Sequence, residues 1–99
     1  MKFNSLKEFY PYYLSEHQNL ACRRLHFIGT SLVIGLILYF AISGNWQYWW
    51  AIFLAGYGFA WIGHFFFEKN RPATFKNPFY SLASDFLMYK DILTGKIKF

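Results

Sequence analysis

Two uncharged stretches separated by almost nothing constrain this chain more than any other feature. Residues 27–43 (FIGTSLVIGLILYFAIS) contain no charged side chain, and residues 46–67 (WQYWWAIFLAGYGFAWIGHFFF) contain none beyond the titratable His64. A helix needs about 20 apolar residues, within a range of roughly 17–25, to cross a hydrocarbon core. The second run meets this length comfortably and the first sits at its lower limit. Only Gly44-Asn45 lies between them, so short a connection that the two must form an antiparallel helical hairpin. Trp46, Tyr48, Trp49 and Trp50 fall at its turn, where rings with one wet and one apolar edge collect at a membrane interface.

Composition agrees. The 99 residues suit one domain, 1–99, and include thirteen Phe, eight Tyr and four Trp, with 15% of the chain charged. A water-soluble domain this small has too little interior for so many large rings, and a 99-residue soluble bundle could not cover both apolar helices. A net charge of +5 on a polar face would suggest a nucleic-acid partner. Here the basic residues adjoin apolar runs instead, which suits anionic lipid headgroups and excludes nucleic acid as the partner. Lys2, Lys7, Arg23 and Arg24 precede the hairpin, Lys69, Arg71 and Lys76 follow it, and its turn has none. That distribution places both termini in the cytoplasm. The N-terminus has no signal-peptide pattern, and with the small size this points to a bacterial inner membrane. The single cysteine, Cys22, allows no internal disulfide. Small-residue ridges at Ser31–Gly35 and Gly56–Ala60 suit close helix packing within or between chains, including a homo-oligomer.

The flanks read as helices too. Ser5-Leu6-Lys7-Glu8 is a capping-box pattern, and Pro11 predicts a kink or restart. Asn77-Pro78 places a capping residue before a proline at the first helical position. Phe79, Leu82, Ala83, Phe86, Tyr89 and Leu93 then recur on one side, with Ser81, Ser84, Asp85 and Asp91 on the other. This predicts an amphipathic helix over 78–94, ending near Gly95, that lies on the membrane or packs over the cytoplasmic end of the hairpin. The fold class is therefore an all-α membrane protein: a transmembrane hairpin between an N-terminal helical segment and a C-terminal amphipathic helix.

Chemistry concentrates in three histidines. His26 opens the first span and His64 closes the second, so an antiparallel hairpin brings them to one depth. Glu68 follows His64 by four residues, on the same helix face, and Gly56 and Ala60 continue that ridge. His17 lies nine residues before His26 and would point the opposite way on an unbroken helix, since nine steps of about 100° leave half a turn. It joins the others only if the chain breaks within Ser15-Glu16-His17-Gln18-Asn19; on a continuous helix Asn19 and Cys22 would share the face of His26. Taken singly, each of these residues is more simply an interfacial side chain. Together, ionisable groups at one end of a membrane hairpin suggest function, and imidazole with carboxylate and open positions suits ferrous iron and oxygen chemistry. Two rival readings stand beside it: a haem-binding module with His26 and His64 as axial ligands, and a non-catalytic lipid-binding membrane protein.

Two blocks, "FYPYYLSEHQNLACRRLHFIG" and "WIGHFFFEKNRPATF" followed by "NPFYSLASDFLMY", resemble the small membrane proteins related to the fungal 2-hydroxy fatty acid dioxygenase of phytosphingosine degradation. The Gly-His-x-x-x-Glu-Lys-x-x-Pro-Ala run is the more specific. The resemblance implies an Fe(II)-dependent enzyme of fatty acid α-oxidation that uses O2 to remove one carbon from a 2-hydroxy fatty acyl substrate. It implies His17, His26 and His64 as the metal ligands and matches Glu68 to the family's glutamate. Asn19 and Glu68 are then the polar residues of the catalytic site that fix imidazole tautomers. Arg23, Arg24 and Arg71 are candidates to hold the substrate carboxylate.

Overall fold

A computed structural model describes residues 3–72 and 76–99. Lys2, one of the basic residues used for orientation, and Ala73-Thr74-Phe75 of the second block lie outside the described residues. The described chain contains helices and no strand. Four helices follow in order: α1 (Leu6–Ser15), α2 (Leu20–Ser43), α3 (Trp50–Ile62) and α4 (Pro78–Leu93). A 3₁₀ turn, Trp46–Tyr48, leads into α3, and a π-helical segment, Gly63–Glu68, extends it. The molecule measures 40 × 27 × 27 Å.

The hairpin forms as its sequence predicts. α2 stops at Gly44, which adopts φ +72° and returns its N–H to Phe40 O. Left-handed φ carries no Cβ penalty at glycine, so the residue both ends the helix and starts the reversal. The closest approach of α2 and α3 is at Gly29, where a Cβ would meet Ala55 O at 2.9 Å and Phe59 Cβ at 3.0 Å. Gly56 also packs tightly, against Val33, whereas Gly35 faces open space and Ser31 bonds Tyr89 of α4. The Ser31–Gly35 ridge thus does not join the hairpin. Leu20–Ser43 and Trp46–Glu68 are both long and apolar enough to cross a membrane.

Two expectations are corrected. α2 starts at Leu20, seven residues before the uncharged run, because Asn19 caps it: its Oδ1 accepts from the N–H groups of Ala21 and Cys22. α1 runs through Pro11 as one helix. Pro11 is exposed, so the one carbonyl it leaves unpaired can be hydrated. Ser5 caps α1 as predicted, accepting from Glu8 N–H. For α4 the structure takes the second of the two placements the sequence allows. The helix packs over the hairpin end and on α1, and it turns Ser81, Ser84, Met88 and Ile92 inward. Phe79, Leu82, Phe86 and Leu93 face out, Phe79 at 85% exposure. The small core between α1 and α4 is Phe9, Tyr13, Met88 and Ile92, and Tyr10 O–H donates to Asp91 at 2.7 Å across it.

Candidate metal centre

Each histidine reaches the centre from a different kind of local structure. His17 sits in the break between α1 and α2, the break that the polar run from Ser15 to Asn19 makes possible. His26 lies on the second turn of α2. His64 lies in the π segment, whose wider turn is a common feature of functional sites. Gly63 makes its placement possible: a Cβ there would meet Cys22 Sγ at 3.0 Å and Cys22 Cα at 3.1 Å. Without a side chain at residue 63, the two helix ends approach until His64 and His26 face one another. All three histidines are buried.

The three rings are mutually close to perpendicular. Their centroids lie 4.4 Å (His17–His26), 4.4 Å (His17–His64) and 4.9 Å (His26–His64) apart, with interplanar angles of 88°, 78° and 90°. Hydrogen bonding fixes their tautomers. His17 Nδ1 lies 2.7 Å from Tyr13 O, and His26 Nδ1 lies 2.9 Å from Cys22 O. A carbonyl only accepts, so both Nδ1 atoms carry the proton. His64 Nδ1 lies 2.7 Å from Asn70 Oδ1, while Asn70 Nδ2 donates to Glu16 O at 3.1 Å. The Glu16 carbonyl therefore orients the Asn70 amide, and His64 Nδ1 donates as well. Every Nε2 is left with a lone pair.

Two of those lone pairs meet. His17 Nε2 and His26 Nε2 are 3.1 Å apart, and with both protons held at Nδ1 neither can donate to the other. Burial, then the neighbouring His26 and His64, push the His17 imidazole well below its ordinary value, so an imidazolium is no remedy. A cation is. Imidazole–metal bonds of about 2.1 Å at a right angle put two nitrogens about 3 Å apart, close to the spacing found. Ligating histidines characteristically donate the other ring N–H to an oxygen in this way. With Cys22 the histidines form a buried group whose candidate donor atoms all lie within 4.8 Å of one another and that can hold a metal ion. Cys22 Sγ approaches His26 at Nδ1, 3.7 Å away, not at the nitrogen that faces His17.

A cavity of about 10 Å³ adjoins the histidines, walled also by Tyr13, Tyr57, Ala60, Trp61, Pro72, Ser81 and Asp85. That is room for about one water-sized ligand. Ser81 Oγ is buried and has no hydrogen-bond partner among the described residues. Asp85, one turn further along α4, accepts from Tyr13 O–H; burial pushes its carboxyl up to about 7 against the opposing effect of that bond. Tyr13 in turn stacks on His17, centroids 4.0 Å apart.

The other expected site residues stand further back. Glu68 points both oxygens at Asn19 N–H, 2.9 and 3.1 Å away, so it and Asn19 tie the end of the π segment to the start of α2. The carboxylate on the cavity wall is Asp85. Arg23 donates to Gln18 O and Lys98 O and faces a separate open cavity of about 510 Å³ on the α1 side of His17. Arg24 lies over the Phe99 ring at 5.2 Å. Arg71 is exposed, beside the buried Pro72. Asn70 and Ser81 were not foreseen. Asn70 lies inside the most specific run of the sequence, and Ser81 lies four residues before Asp85.

Residues 3–97 match the family described as 2-hydroxy-palmitic acid dioxygenase Mpo1-like. The chain belongs to the Mpo1-like family. The match takes in all three histidines, Asn70, Ser81 and Asp85. No curated protein and no solved structure matches the chain. Membership gives the Mpo1-like chain a relationship to dioxygenases of 2-hydroxy fatty acids, and the buried histidine group gives it a place where a metal can bind.

Proposed function

We propose that this chain is a membrane-embedded, Fe(II)-dependent dioxygenase that shortens 2-hydroxy fatty acids by one carbon. The observation that carries the proposal is the convergence of three buried, Nδ1-protonated histidines, with His17 and His26 Nε2 only 3.1 Å apart, beside a water-sized polar cavity. Three neutral imidazoles with open positions suit iron among several first-row metals, and the family's description selects the oxygen chemistry. The overall reaction, R–CH(OH)–COOH + O2 → R–COOH + CO2 + H2O, balances without a separate reductant: the C1–C2 bond breaks, C2 is oxidised to a carboxyl and C1 leaves as CO2.

Iron bound here would supply a site for O2 and for the hydroxyl and carboxylate oxygens of the substrate. The chain's own residues do the rest. Tyr13 O, Cys22 O and Asn70 Oδ1 hold the ring protons away from the centre. Ser81 Oγ supplies a hydrogen bond to a substrate oxygen, and Asp85, kept protonated more readily than an ordinary carboxyl, adds a wall that does not repel a carboxylate. Glu68 and Asn19 set the separation of the two helix ends that carry His26 and His64. The spacing speaks against a haem: the His26 and His64 rings stand perpendicular with centroids 4.9 Å apart, which leaves no plane for a porphyrin between them.

Membrane insertion is part of the proposal. α3 has no buried residue and is apolar all round, and such a helix needs cover from lipid or protein on every side. α1 and α4 pack at the hairpin end opposite the turn, the end that carries the basic residues; this supports cytoplasmic termini and a site at the cytoplasmic face. The test is mass spectrometry of products from purified protein given Fe²⁺, O2 and 2-hydroxypalmitate. A fatty acid one carbon shorter from wild type, and none from His64→Ala, is expected. Equal product from both would overturn the proposal.

A further inference from the structure

The water-sized cavity at the histidines adjoins a second, apolar one. The second encloses about 110 Å³ between α2, α3 and α4, with walls that include Thr30, Val33, Gly56, Leu82 and Phe86. His26, Tyr57 and Asp85 line both. Polar groups are thus concentrated where the two cavities meet, and the rest of the groove is largely carbon.

Resting on the dioxygenase reading, we infer that this groove binds the first few carbons of the substrate's alkyl tail and that the remainder of the tail leaves the protein for lipid. The polarity sets the direction: the oxygen-bearing head belongs at the histidines and a saturated chain along Val33, Gly56 and Leu82. The volume sets the length. At about 110 Å³ the groove is several times larger than the cavity at the histidines, enough to grip the carbons next to the head and too small to enclose a long chain. Its outer lip is open, since Leu82 is 49% and Phe86 41% exposed, and both belong to the outward apolar face of α4. Its width is set at Gly56, where even a Cβ would lie 3.3 Å from Val33 Cγ2. The site therefore reads the head and an unbranched stretch behind it, and does not measure total chain length.

Photolabelling tests this on the full, iron-loaded protein, using 2-hydroxypalmitate carrying a diazirine at C5 or at C14. The C5 probe is expected to label the groove segments of α2, α3 or α4, in competition with unlabelled 2-hydroxypalmitate; the C14 probe is expected to label outward faces. Leu82→Trp fills the groove from an exposed position that the fold tolerates. It is expected to keep its iron, to lose C5 labelling and to lose at least about tenfold in kcat/KM, while 2-hydroxy acids of ten to eighteen carbons stay within about threefold of one another in wild type. C5 labelling outside the groove, or Leu82→Trp with unchanged labelling and turnover, would overturn the inference. If iron-loaded wild type forms no shortened acid, the dioxygenase reading falls, and the C5 labelling pattern still decides whether the groove binds the tail.

Discussion

Asn70 shows how much a single side chain does at this centre. Its Oδ1 accepts from His64 Nδ1, its Nδ2 donates to Glu16 O and its backbone N–H donates to His64 O at 3.0 Å, so it holds His64 against the connector that carries His17. Asn70→Ala leaves a ring N–H and a backbone carbonyl without partners. We expect metal affinity to fall roughly 10–100-fold, the usual cost of losing such a support, with helicity by circular dichroism unchanged; a competition titration with a chelating dye measures it. Asp85 predicts a pH dependence. Its carboxyl is raised to about 7 in the folded state and has an ordinary value once unfolded, so between pH 4 and 7 the folded state binds more protons than the unfolded one. The contribution of Asp85 to stability is fullest near pH 4 and falls as the pH rises to 7, by up to about 4 kcal/mol for a shift of about 3 units, while the buried neutral histidines work in the opposite sense. Asp85→Asn keeps an acceptor for Tyr13 O–H and removes the titration. Thermal denaturation of metal-free protein should therefore show the variant gaining on wild type as pH rises from 5 to 8; parallel pH profiles would contradict the assignment. Asn70 was hard to read from sequence because its position depends on Lys69 adopting φ +59°, and the usual glycine signal for a left-handed residue is missing.

Among the elements, that same Lys69 stores strain. Lys69→Gly removes the Cβ penalty and should raise stability by up to about 1 kcal/mol, read from the denaturation midpoint, with metal content unchanged. The hairpin was legible because two uncharged runs flank a two-residue Gly-Asn turn. The start of α2 was less so: Arg23, Arg24 and His26 hide it from a hydropathy reading, although Asn19 is a capping residue in the right place. The break that frees His17 was legible as the polar run from Ser15 to Asn19. The orientation of α4 was not. The pattern separates an apolar side from a polar one and leaves open which of them meets the hairpin; Ser81, Ser84 and Asp85 form the inner face. The ridge from Gly56 through Ala60 and His64 to Glu68 does face α2 along its length, but it ends on a tether between helix ends and not on a carboxylate at the centre.

For the whole molecule, the site depends on how closely the hairpin ends approach. Gly63→Val would push Cys22 and its turn away from the π segment, and with it His26 from His64. We expect that variant to keep its helices and lose its metal, measured by elemental analysis after gel filtration. Gly29 sets the approach higher up, so the geometry of the centre is a property of the entire hairpin together with the α1 and α4 layer that covers it. The proposed oxygenase chemistry rests on iron held by the three histidines. An anaerobic Fe²⁺ titration followed by O2 and 2-hydroxypalmitate tests it most directly, with the one-carbon-shorter acid measured at each step. Product should rise with added iron, level off at one iron per chain, vanish when Zn²⁺ replaces it, and fall to background in His17→Ala, His26→Ala and His64→Ala. Full product from chelator-treated or zinc-loaded protein would contradict the account.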